Sequence, residues 1–230
     1  MSGATPGLVI FDCDGVLVNS ERIVCDVESV ELARYGIAMT PEQARATFKG
    51  RTLPENARTV EQLGGDRLPP TWLYDWAMAI AAAFAERLQP VAGVREVVRE
   101  LAARGQAMCV ATQSPPARAR LSLRLTELAP YFERRVFTAS QVARGKPAPD
   151  LFLFAAEQMG VDPAAALVIE DSASGVRAAV AAGMRVLGYA ADEDSGALAA
   201  AGATVFTDMS ELPRLLGLHE AGSPTDSSAG

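Results

Sequence analysis

Short continuous apolar runs alternate along this chain with longer stretches in which apolar residues recur at helical spacing. A run of about four apolar residues is typical of a strand in a parallel sheet, because such strands are covered on both faces. The predicted strands cover residues 8–11, 107–111, 136–137, 166–169, 185–187 and 204–206. The predicted helices between the later strands cover residues 94–104, 115–126, 150–159 and 172–182, and each has a proline start or a glycine stop. Strands that alternate with helices predict a doubly wound parallel sheet of the α/β class.

The first two predicted strands are separated by about 95 residues, far more than an ordinary crossover needs. Helical patterns fill this interval at residues 20–35, from 40 onwards, at 53–63 and at 71–88. The residues expected on buried helix faces are Ile23, Val27 and Val30 in the first of these helices, and Trp72, Trp76, Ile80, Phe84 and Leu88 in the last. We therefore predict a core formed by residues 1–19 and 89–218, an inserted helical domain at 20–88, and a flexible tail at 219–230.

The composition excludes several classes of protein. The chain has 230 residues, of which 21 are basic and 28 acidic, so its net charge is −7 and it lacks the basic character of a general nucleic-acid binder. No apolar run approaches the length of a membrane span, and the N-terminus shows no secretory signal, so we expect a cytoplasmic protein. Three scattered cysteines form no disulfide framework. Lys49 and Lys146 are the only lysines among the basic residues, and each can mark a place where a compact ammonium is needed.

Acidic and hydroxyl side chains follow three of the predicted strands, at the point where each strand ends. Asp12 and Asp14 come after the first strand, Thr112 after the second, and Glu170 and Asp171 after the fourth. Ligands of an open parallel sheet bind at the carboxyl ends of its strands, so these side chains should meet at one edge. Four carboxylates in one cleft repel one another and need a cation.

Each of these segments also has a purely structural interpretation. The Asp-Gly step after the first strand could form a turn for conformational reasons alone. Either Asp171 or Ser172 could cap the helix that follows. A calcium loop of the EF-hand type is excluded, because Val16 stands where a third acid is needed and no matching glutamate follows. Lys146 could be a solvated loop lysine, but the prolines around it favour a positioned charge.

Taken in order, these segments resemble the signature of the haloacid dehalogenase-like (HAD) superfamily. That signature is Asp-x-Asp-Gly after strand one, Thr or Ser after strand two, a lysine before a helix, and an acid pair after a later strand. All four motifs occur here in order, and the resemblance spans residues 7 to about 217. The inserted helices resemble the cap of the β-phosphoglucomutase-like branch. The resemblance implies a HAD-like Rossmannoid core with an inserted α-helical cap domain.

The resemblance implies catalytic roles for four residues of a phosphatase. Asp12 would be the nucleophile that forms an aspartyl-phosphate. Asp14 would act as general acid towards the leaving alcohol and then as base towards water. Thr112 would hydrogen-bond the phosphoryl group, and Lys146 would neutralise charge on Asp12 and the phosphate.

The resemblance also implies Mg²⁺ as cofactor. A phosphate monoester is a dianion that repels an attacking carboxylate, and a hard divalent cation with oxygen ligands relieves this repulsion. The ion would be bound by Asp12, the Asp14 carbonyl and Asp171, and Glu170 would hold a water on it. An acid at position 14 fits a phosphatase or phosphomutase that turns over its own intermediate.

Substrate choice is expected from the loop at residues 48–53. Lys49, Gly50 and Arg51 resemble the corresponding loop of the bacterial 6-phosphogluconate phosphatases, which also has Phe-Lys-Gly, although a solvated turn is the structural alternative. Two cations suit a small phosphorylated metabolite that carries a carboxylate besides its phosphate, so 6-phosphogluconate is the expected substrate. Gln113 stands where related phosphatases commonly have Asn, and we expect it to meet the phosphate or the cap.

Other functions stay open at this point. A β-phosphoglucomutase-type phosphomutase is one, although Leu53 stands where that enzyme has Arg, and Val24 lies near the place of its His. A non-catalytic phosphate-binding or phospho-acceptor signalling module is another, although the late position of the acid pair differs from a receiver domain. Asn19 stands where Asp is common. We expect a small-molecule partner, neither nucleic acid nor membrane, and a monomer, with a dimer left open.

Overall fold

The computed structural model describes residues 5–64, 67–191 and 195–218, so the predicted flexible tail at 219–230 lies outside the described residues. The strands are β1 (Leu8–Phe11), β2 (Met108–Thr112), β3 (Val136–Thr138), β4 (Ala166–Glu170), β5 (Arg185–Tyr189) and β6 (Thr204–Phe206). They form one sheet in the order β3-β2-β1-β4-β5-β6, and every neighbouring pair is parallel. The predicted doubly wound α/β sheet is confirmed, and its strands begin and end within two residues of the predicted bounds.

The central strand β1 is buried on both of its faces. Val9 and Phe11 belong to one apolar cluster, and Leu8 and Ile10 belong to the cluster on the other side of the sheet. This double burial explains why the sequence shows a continuous apolar run rather than alternation. The Asp12 N–H donates to the carbonyl of Ile169 at 2.9 Å, which carries the β1–β4 hydrogen bonding up to the first acid.

The insertion after β1 contains the helices α1 (Glu21–Arg34), α2 (Pro41–Phe48), α3 (Leu53–Gly64) and α4 (Trp72–Arg87). A capping box starts α2, since Thr40 Oγ1 accepts from Gln43 N at 3.2 Å and Gln43 Oε1 accepts from Thr40 N at 2.8 Å. The predicted buried face of α4 is confirmed, because all five of its expected residues are buried: Trp72, Trp76, Ile80, Phe84 and Leu88.

The predicted face of α1 is partly wrong. Ile23 is buried and Val27 packs against the core, but Val30 is 61% exposed. The inward face instead carries two acids, Glu28 and Glu31. The apolar spacing misled the prediction because Glu28 lines a cavity at the sheet edge and Glu31 pairs with Arg34 Nη1 at 2.9 Å, so neither carboxyl group has to enter an apolar core.

The sheet is flanked by α5 (Val94–Ala103), α6 (Pro116–Leu125), α8 (Asp150–Gln158) and α9 (Ala173–Ala181), as predicted. The structure adds α7 (Ala129–Phe132), α10 (Ser195–Ala201) and α11 (Leu212–Leu215), which the sequence prediction missed. These helices are too short to show a clear 3.6-residue period. Within the described ranges, no helix combines the length and the apolar character that crossing a bilayer requires.

Two chain segments, residues 17–19 and 89–91, connect the sheet to the inserted helices, and we call them the crossing pair. The segments are hydrogen-bonded to each other by Asn19 N to the Gln89 carbonyl at 2.9 Å, Val91 N to the Leu17 carbonyl at 3.1 Å, and Asn19 Nδ2 to the Pro90 carbonyl at 3.4 Å. The inserted helices are therefore joined to the sheet along one narrow line.

Candidate active site

A cavity of about 410 Å³ opens between the carboxyl ends of the strands and the inserted helices. The parallel order places the ends of β2, β1 and β4 side by side, as expected for a ligand site in an open sheet. Every residue predicted for the site lines this cavity: Asp12, Asp14, Lys49, Gly50, Arg51, Thr112, Gln113, Lys146, Glu170 and Asp171.

Lys146 is the buried positive charge of the site. Its Nζ donates to Asp12 Oδ1 and to Glu170 Oε1, each at 2.6 Å, and to the carbonyl of Ala111 at 3.0 Å. Burial alone would lower the pKa of Lys146, but the charges of Asp12 and Glu170 outweigh burial, and the pKa is raised. The alternative of a solvated loop lysine is therefore wrong, because the ammonium is buried and charged between two carboxylates.

Asp12 is a carboxylate that needs this counter-charge. It is 7% exposed, and its pKa is raised to about 7, mainly by burial. The charge of Lys146 lowers the pKa, whereas Glu170 and Asp14 add to the rise. The lysine therefore keeps a substantial fraction of Asp12 ionised near neutral pH, as a nucleophilic carboxylate requires.

Asp14 is held by three residues that the sequence did not single out. Arg118 Nη2 lies 3.1 Å from its Oδ1, Ser114 Oγ donates to its Oδ2 at 2.5 Å, and Ser20 Oγ donates to Oδ1. Burial alone would raise the pKa of Asp14, but the Arg118 charge and the hydroxyl hydrogen bonds outweigh it, so the pKa is lowered. Asp14 is therefore a carboxylate in this arrangement.

The missed residues have a weak signal in the sequence. Ser114 follows Thr112 by two positions, and its N–H donates to Thr112 Oγ1 at 3.1 Å. Arg118 lies in the first turn of α6, a helix that starts at the same edge as the site. Polar residues in the first turn after each motif strand were the available clue, but nothing in the sequence shows that they reach Asp14.

Glu170 is fixed by the start of α9. Ser172 caps this helix, since its Oγ accepts from Gly175 N at 3.0 Å, and its own N and Oγ donate to Glu170 Oε2 at 2.8 and 2.9 Å. The capping interpretation of Ser172 is therefore confirmed and is compatible with a site role for Glu170. A Cβ at Gly175 would lie 1.8 Å from Glu170 Oε1, so only glycine leaves room for the carboxylate.

Asp171 faces the loop that follows β1. Its pKa is raised well above the usual range, first by burial and then by the charge of Glu170. Gly15 has φ +85°, and a Cβ there would lie 2.2 Å from Asp171 Oδ2. The Asp-Gly step therefore makes a turn and also leaves space for Asp171, the acid that directly follows β4.

Asp12, Asp14, Glu170 and Asp171 form what we call the acid cluster. These acids supply oxygen ligands of the kind that a hard divalent cation prefers, but they do not form a finished cage around one position. Among the described residues, no three His, Cys, Asp or Glu side chains surround one point closely enough to hold an ion by themselves. Lys146 already lies between Asp12 and Glu170, which accounts for this result. Mg²⁺ needs few protein ligands, because it keeps several waters and shares substrate phosphate oxygens.

The loop between α2 and α3 reaches the sheet edge through two of its residues. Lys49 Nζ lies 2.6 Å from Glu21 Oε1 and 3.3 Å from Asp171 Oδ2. The Gly50 carbonyl accepts a hydrogen bond from Gln113 Nε2 at 2.6 Å. The extra methylene of glutamine relative to asparagine therefore serves a contact across the cavity.

Arg51 is oriented differently from its neighbours. The side chain lines the cavity, but its Nη1 donates to the Thr47 carbonyl at 3.1 Å and to Thr59 Oγ1 at 3.2 Å. The residue as a whole is exposed. The structure thus brings Lys49 to Asp171 and Gly50 to Gln113, and it holds the Arg51 guanidinium against the inserted helices.

Comparison with known proteins shows that most of the chain is similar to haloacid dehalogenase-like hydrolases. The model of the haloacid dehalogenase-like hydrolases matches residues 6–183. A 6-phosphogluconate phosphatase of Escherichia coli K12 is 30% identical over 208 residues, which cover 90% of this chain and 93% of that protein. A phosphorylated carbohydrates phosphatase of Thermotoga maritima is 30% identical over 213 residues, 90% of this chain and 97% of the relative.

A solved structure extends the likeness to three dimensions. The HAD family hydrolase of Deinococcus radiodurans R1, crystallised with phosphate and sodium, is 32% identical with a TM-score of 0.75, and the match covers 94% of this chain and 98% of that one. The order of the motifs, the parallel sheet and the buried acid–lysine cluster agree with these matches. The chain therefore belongs to the haloacid dehalogenase-like hydrolase family and is a phosphatase.

Proposed function

We propose that this phosphatase hydrolyses a small phosphorylated sugar or sugar acid through a phosphoaspartate on Asp12, with Mg²⁺ as cofactor. The observation that carries the proposal is the buried Lys146 ammonium, 2.6 Å from both Asp12 Oδ1 and Glu170 Oε1 at the carboxyl ends of β1 and β4. A fixed positive charge at this position lowers the repulsion between an attacking carboxylate and a phosphate dianion.

Asp12 is the proposed nucleophile. One of its oxygens bonds to phosphorus while the bond from phosphorus to the alcohol oxygen breaks, and the alcohol leaves with a proton. Water then attacks the phosphorus of the phosphoaspartate, which releases inorganic phosphate and restores the Asp12 carboxylate. Thr112, buried at the end of β2, is proposed to hydrogen-bond the phosphoryl group.

Asp14 is the proposed proton carrier. The lowered pKa keeps Asp14 ionised, which is the form that can accept the proton of the attacking water. Donation to the leaving alcohol requires that Asp14 first take up a proton, and its contact with Arg118 opposes this step. We therefore expect the Arg118 contact to loosen in the first half of the reaction.

The buried acids fit a hard divalent cation. Asp171 is buried beside Glu170 with a raised pKa, and a cation at this place would offset the unfavourable burial of its charge. We propose that Asp12, Asp171 and the main-chain carbonyl of Asp14 hold Mg²⁺, with Glu170 adding negative charge nearby. Bound there, Mg²⁺ would neutralise charge on the phosphate and polarise it.

The proposed substrate is 6-phosphogluconate. The Escherichia coli relative is named for that substrate, and two cations of the cavity, Lys49 and Arg51, suit a carboxylate on the leaving group. Both cations have protein partners in this structure, so a substrate carboxylate would compete with those partners. Lys49→Ala should therefore lower kcat/KM more for 6-phosphogluconate than for glucose 6-phosphate, which lacks the carboxylate.

Phosphate release from a panel of phosphomonoesters with Mg²⁺ tests the proposal. The panel contains 6-phosphogluconate, hexose 6-phosphates, triose phosphates, phosphoglycolate and β-glucose 1-phosphate, and Asp12→Asn is assayed beside it. We expect the highest kcat/KM with 6-phosphogluconate and a loss of turnover in the variant. Equal rates on all substrates would refute the substrate, and undiminished turnover by Asp12→Asn would refute the nucleophile.

A further inference from the structure

The cavity extends well beyond the acid cluster, along one face of α4. Phe84 marks the end near the acids, because the Arg118 guanidinium that holds Asp14 lies 5.3 Å from the centre of its ring. Trp76 lines the same cavity on the same helix face. Eight residues separate the two rings, which corresponds to about 12 Å along a helix axis. The cavity therefore extends from the acids to a far end at Trp76, about two helical turns of α4 beyond Phe84.

Two buried polar atoms at this far end lack partners. Trp76 is 4% exposed, and its Nε1–H has no acceptor among the residues that the structure describes. Asn56 Oδ1 is likewise buried without a donor there, although Asn56 Nδ2 donates to the Phe48 carbonyl at 3.3 Å. That hydrogen bond orients the amide and leaves the oxygen for another group. The Phe48 and Trp76 rings lie 6.1 Å apart, so both atoms belong to residues adjoining Phe48.

Among the described residues, most of the buried polar atoms that lack a hydrogen-bond partner belong to those around this one cavity, which points to a bound ligand. In the described part of the chain, five buried side-chain polar atoms have no hydrogen-bond partner. One is Ser122 Oγ, and the other four belong to residues that line this cavity: Asn56, Trp76, Gln113 and Arg118. Folded proteins pair nearly all buried polar groups, because an unpaired one costs about 1–3 kcal/mol. Polar atoms left unpaired on the wall of one cavity are therefore best explained as groups that pair with what the cavity binds.

We propose that Asn56 and Trp76 form a distal subsite that recognises a hydroxyl group at the far end of the leaving group. A hydroxyl both accepts and donates hydrogen bonds, so it can pair with a donor such as Trp76 Nε1–H and with an acceptor such as Asn56 Oδ1, whereas an ether can only accept and a methyl group can do neither. The flat ring of Trp76 also suits the C–H face of a sugar chain. This inference rests on the proposed phosphatase function and adds a length requirement, since a two- or three-carbon leaving group extends less far from the phosphorus than a six-carbon one.

The experiment compares one long and one short substrate in matched variants. Trp76→Phe keeps an aromatic ring and removes the Nε1–H donor. Trp72→Phe is the control, because Trp72 is also buried, stacks on Trp76 at 5.8 Å, and is absent from the described residues that line the cavity. kcat/KM is measured for the best six-carbon phosphomonoester of the panel and for glycerol 3-phosphate.

We expect the ratio of the two kcat/KM values to fall about tenfold in Trp76→Phe, the equivalent of one hydrogen bond of about 1.4 kcal/mol, and to change less than twofold in Trp72→Phe. Asn56→Ala should lower the same ratio, and it replaces Trp76→Phe if circular dichroism shows that Trp76→Phe does not fold. A deoxy analogue lacking the recognised hydroxyl should be equally good for the wild type and Trp76→Phe, which a merely structural role of Trp76 would not produce.

The outcomes separate this inference from the proposed function. A ratio unchanged in both Trp76→Phe and Asn56→Ala, with hydrolysis still abolished by Asp12→Asn, would overturn the distal subsite and leave the phosphatase proposal intact. Failure of the wild type to release phosphate from every ester would overturn the proposed function itself.

Discussion

Glu28 has a charge state that depends on the fold. It is 3% exposed on the inward face of α1, and burial raises its pKa to about 8, while the charge of Arg118 lowers it less strongly. The carboxyl group lines the same cavity as the acid cluster and is protonated at neutral pH. A neutral acid can donate a hydrogen bond, so Glu28 differs chemically from the carboxylates at the strand ends.

The raised pKa of Glu28 predicts a pH-dependent stability. Below its ordinary pKa of 4.5 the group is neutral both folded and unfolded; between 4.5 and about 8 only the unfolded chain loses the proton. Stability should therefore fall as pH rises through this window and level off above it. Glu28→Gln removes this loss, so its melting temperature should exceed that of the wild type at pH 8.5 and match it near pH 4.5. The free energies of unfolding of the two proteins should differ by at most about 5 kcal/mol at high pH.

Thermal unfolding monitored by circular dichroism from pH 4.5 to 8.5 measures the effect. Glu86→Gln, at an exposed position of α4, controls for the loss of one acid. A constant gap between Glu28→Gln and the wild type at every pH would contradict a raised pKa.

At the residue scale, site residues that stand in a motif could be predicted from the sequence. Residues that act by holding one of those site residues in place were missed. Asp12, Asp14 and Lys146 could be predicted because each stands in a motif with a known relation to the sheet. Arg118 and Ser20 could not, because their importance lies in reaching Asp14 across 104 and 6 residues of chain. Glu28 was missed because an acid on a helix is ordinarily a solvated residue.

The helix α9 positions Glu170 through its first turn. Gly175 would ordinarily weaken a helix relative to alanine by about 1 kcal/mol. Here a Cβ would lie 1.8 Å from Glu170 Oε1, so the carboxylate occupies the space that a side chain would take. Helix α9 therefore contains glycine, a poor helix former, at the position where its missing side chain leaves room for Glu170 beside Lys146.

Gly175→Ala should therefore displace Glu170 and lower kcat by tenfold or more while the protein stays folded. Phosphate release and circular dichroism measure the two effects. Gly7→Ala is the control, because its Cβ would meet Val161 Cγ1 at an ordinary 3.5 Å. Full activity in Gly175→Ala would show that Glu170 tolerates the displacement and has no fixed role.

Helices and strands with a clear hydrophobic pattern could be predicted from the sequence, whereas very short helices could not. The strands and the long helices follow from apolar runs and from stop signals such as Gly105 and Gly160. The four-residue helices α7 and α11 are stabilised by packing against the core rather than by their own sequence pattern. The exposure of Val30 could not be predicted either, because it depends on which face of α1 borders the cavity.

The inserted helices and the sheet touch across the cavity through Lys49 and Gly50. Lys49 meets Asp171, and the Gly50 carbonyl meets Gln113 Nε2 at 2.6 Å. A Cβ at Gly145 would lie 2.3 Å from Gln113 Oε1, so Gly145 gives this glutamine the room it needs. The sequence predicted that Gln113 meets the phosphate or the cap, but it could not show which residue of the inserted helices Gln113 or Lys49 would contact.

Gln113→Asn should loosen the loop between α2 and α3, because the shorter amide cannot reach the Gly50 carbonyl. We expect KM to rise severalfold, and trypsin to cut after Lys49 or Arg51 severalfold faster, as followed by mass spectrometry. Gln106→Asn is the control, because Gln106 binds the Pro6 carbonyl at 2.9 Å instead of a residue of this loop. Unchanged cleavage of Gln113→Asn would show that the loop does not depend on this contact.

The crossing pair has a mechanical consequence. Because its two segments are hydrogen-bonded side by side, we expect the inserted helices to rotate about this line, which would break the contacts of Lys49 with Asp171 and of Gly50 with Gln113. The acids follow the strands and Trp76 lies on an inserted helix, and both line the cavity, so a bound molecule that touches both would fix the angle of this rotation. We expect the length of the leaving group to decide how far water is excluded from the phosphorus atom, so that a substrate of the wrong length is bound at an angle where hydrolysis is slow.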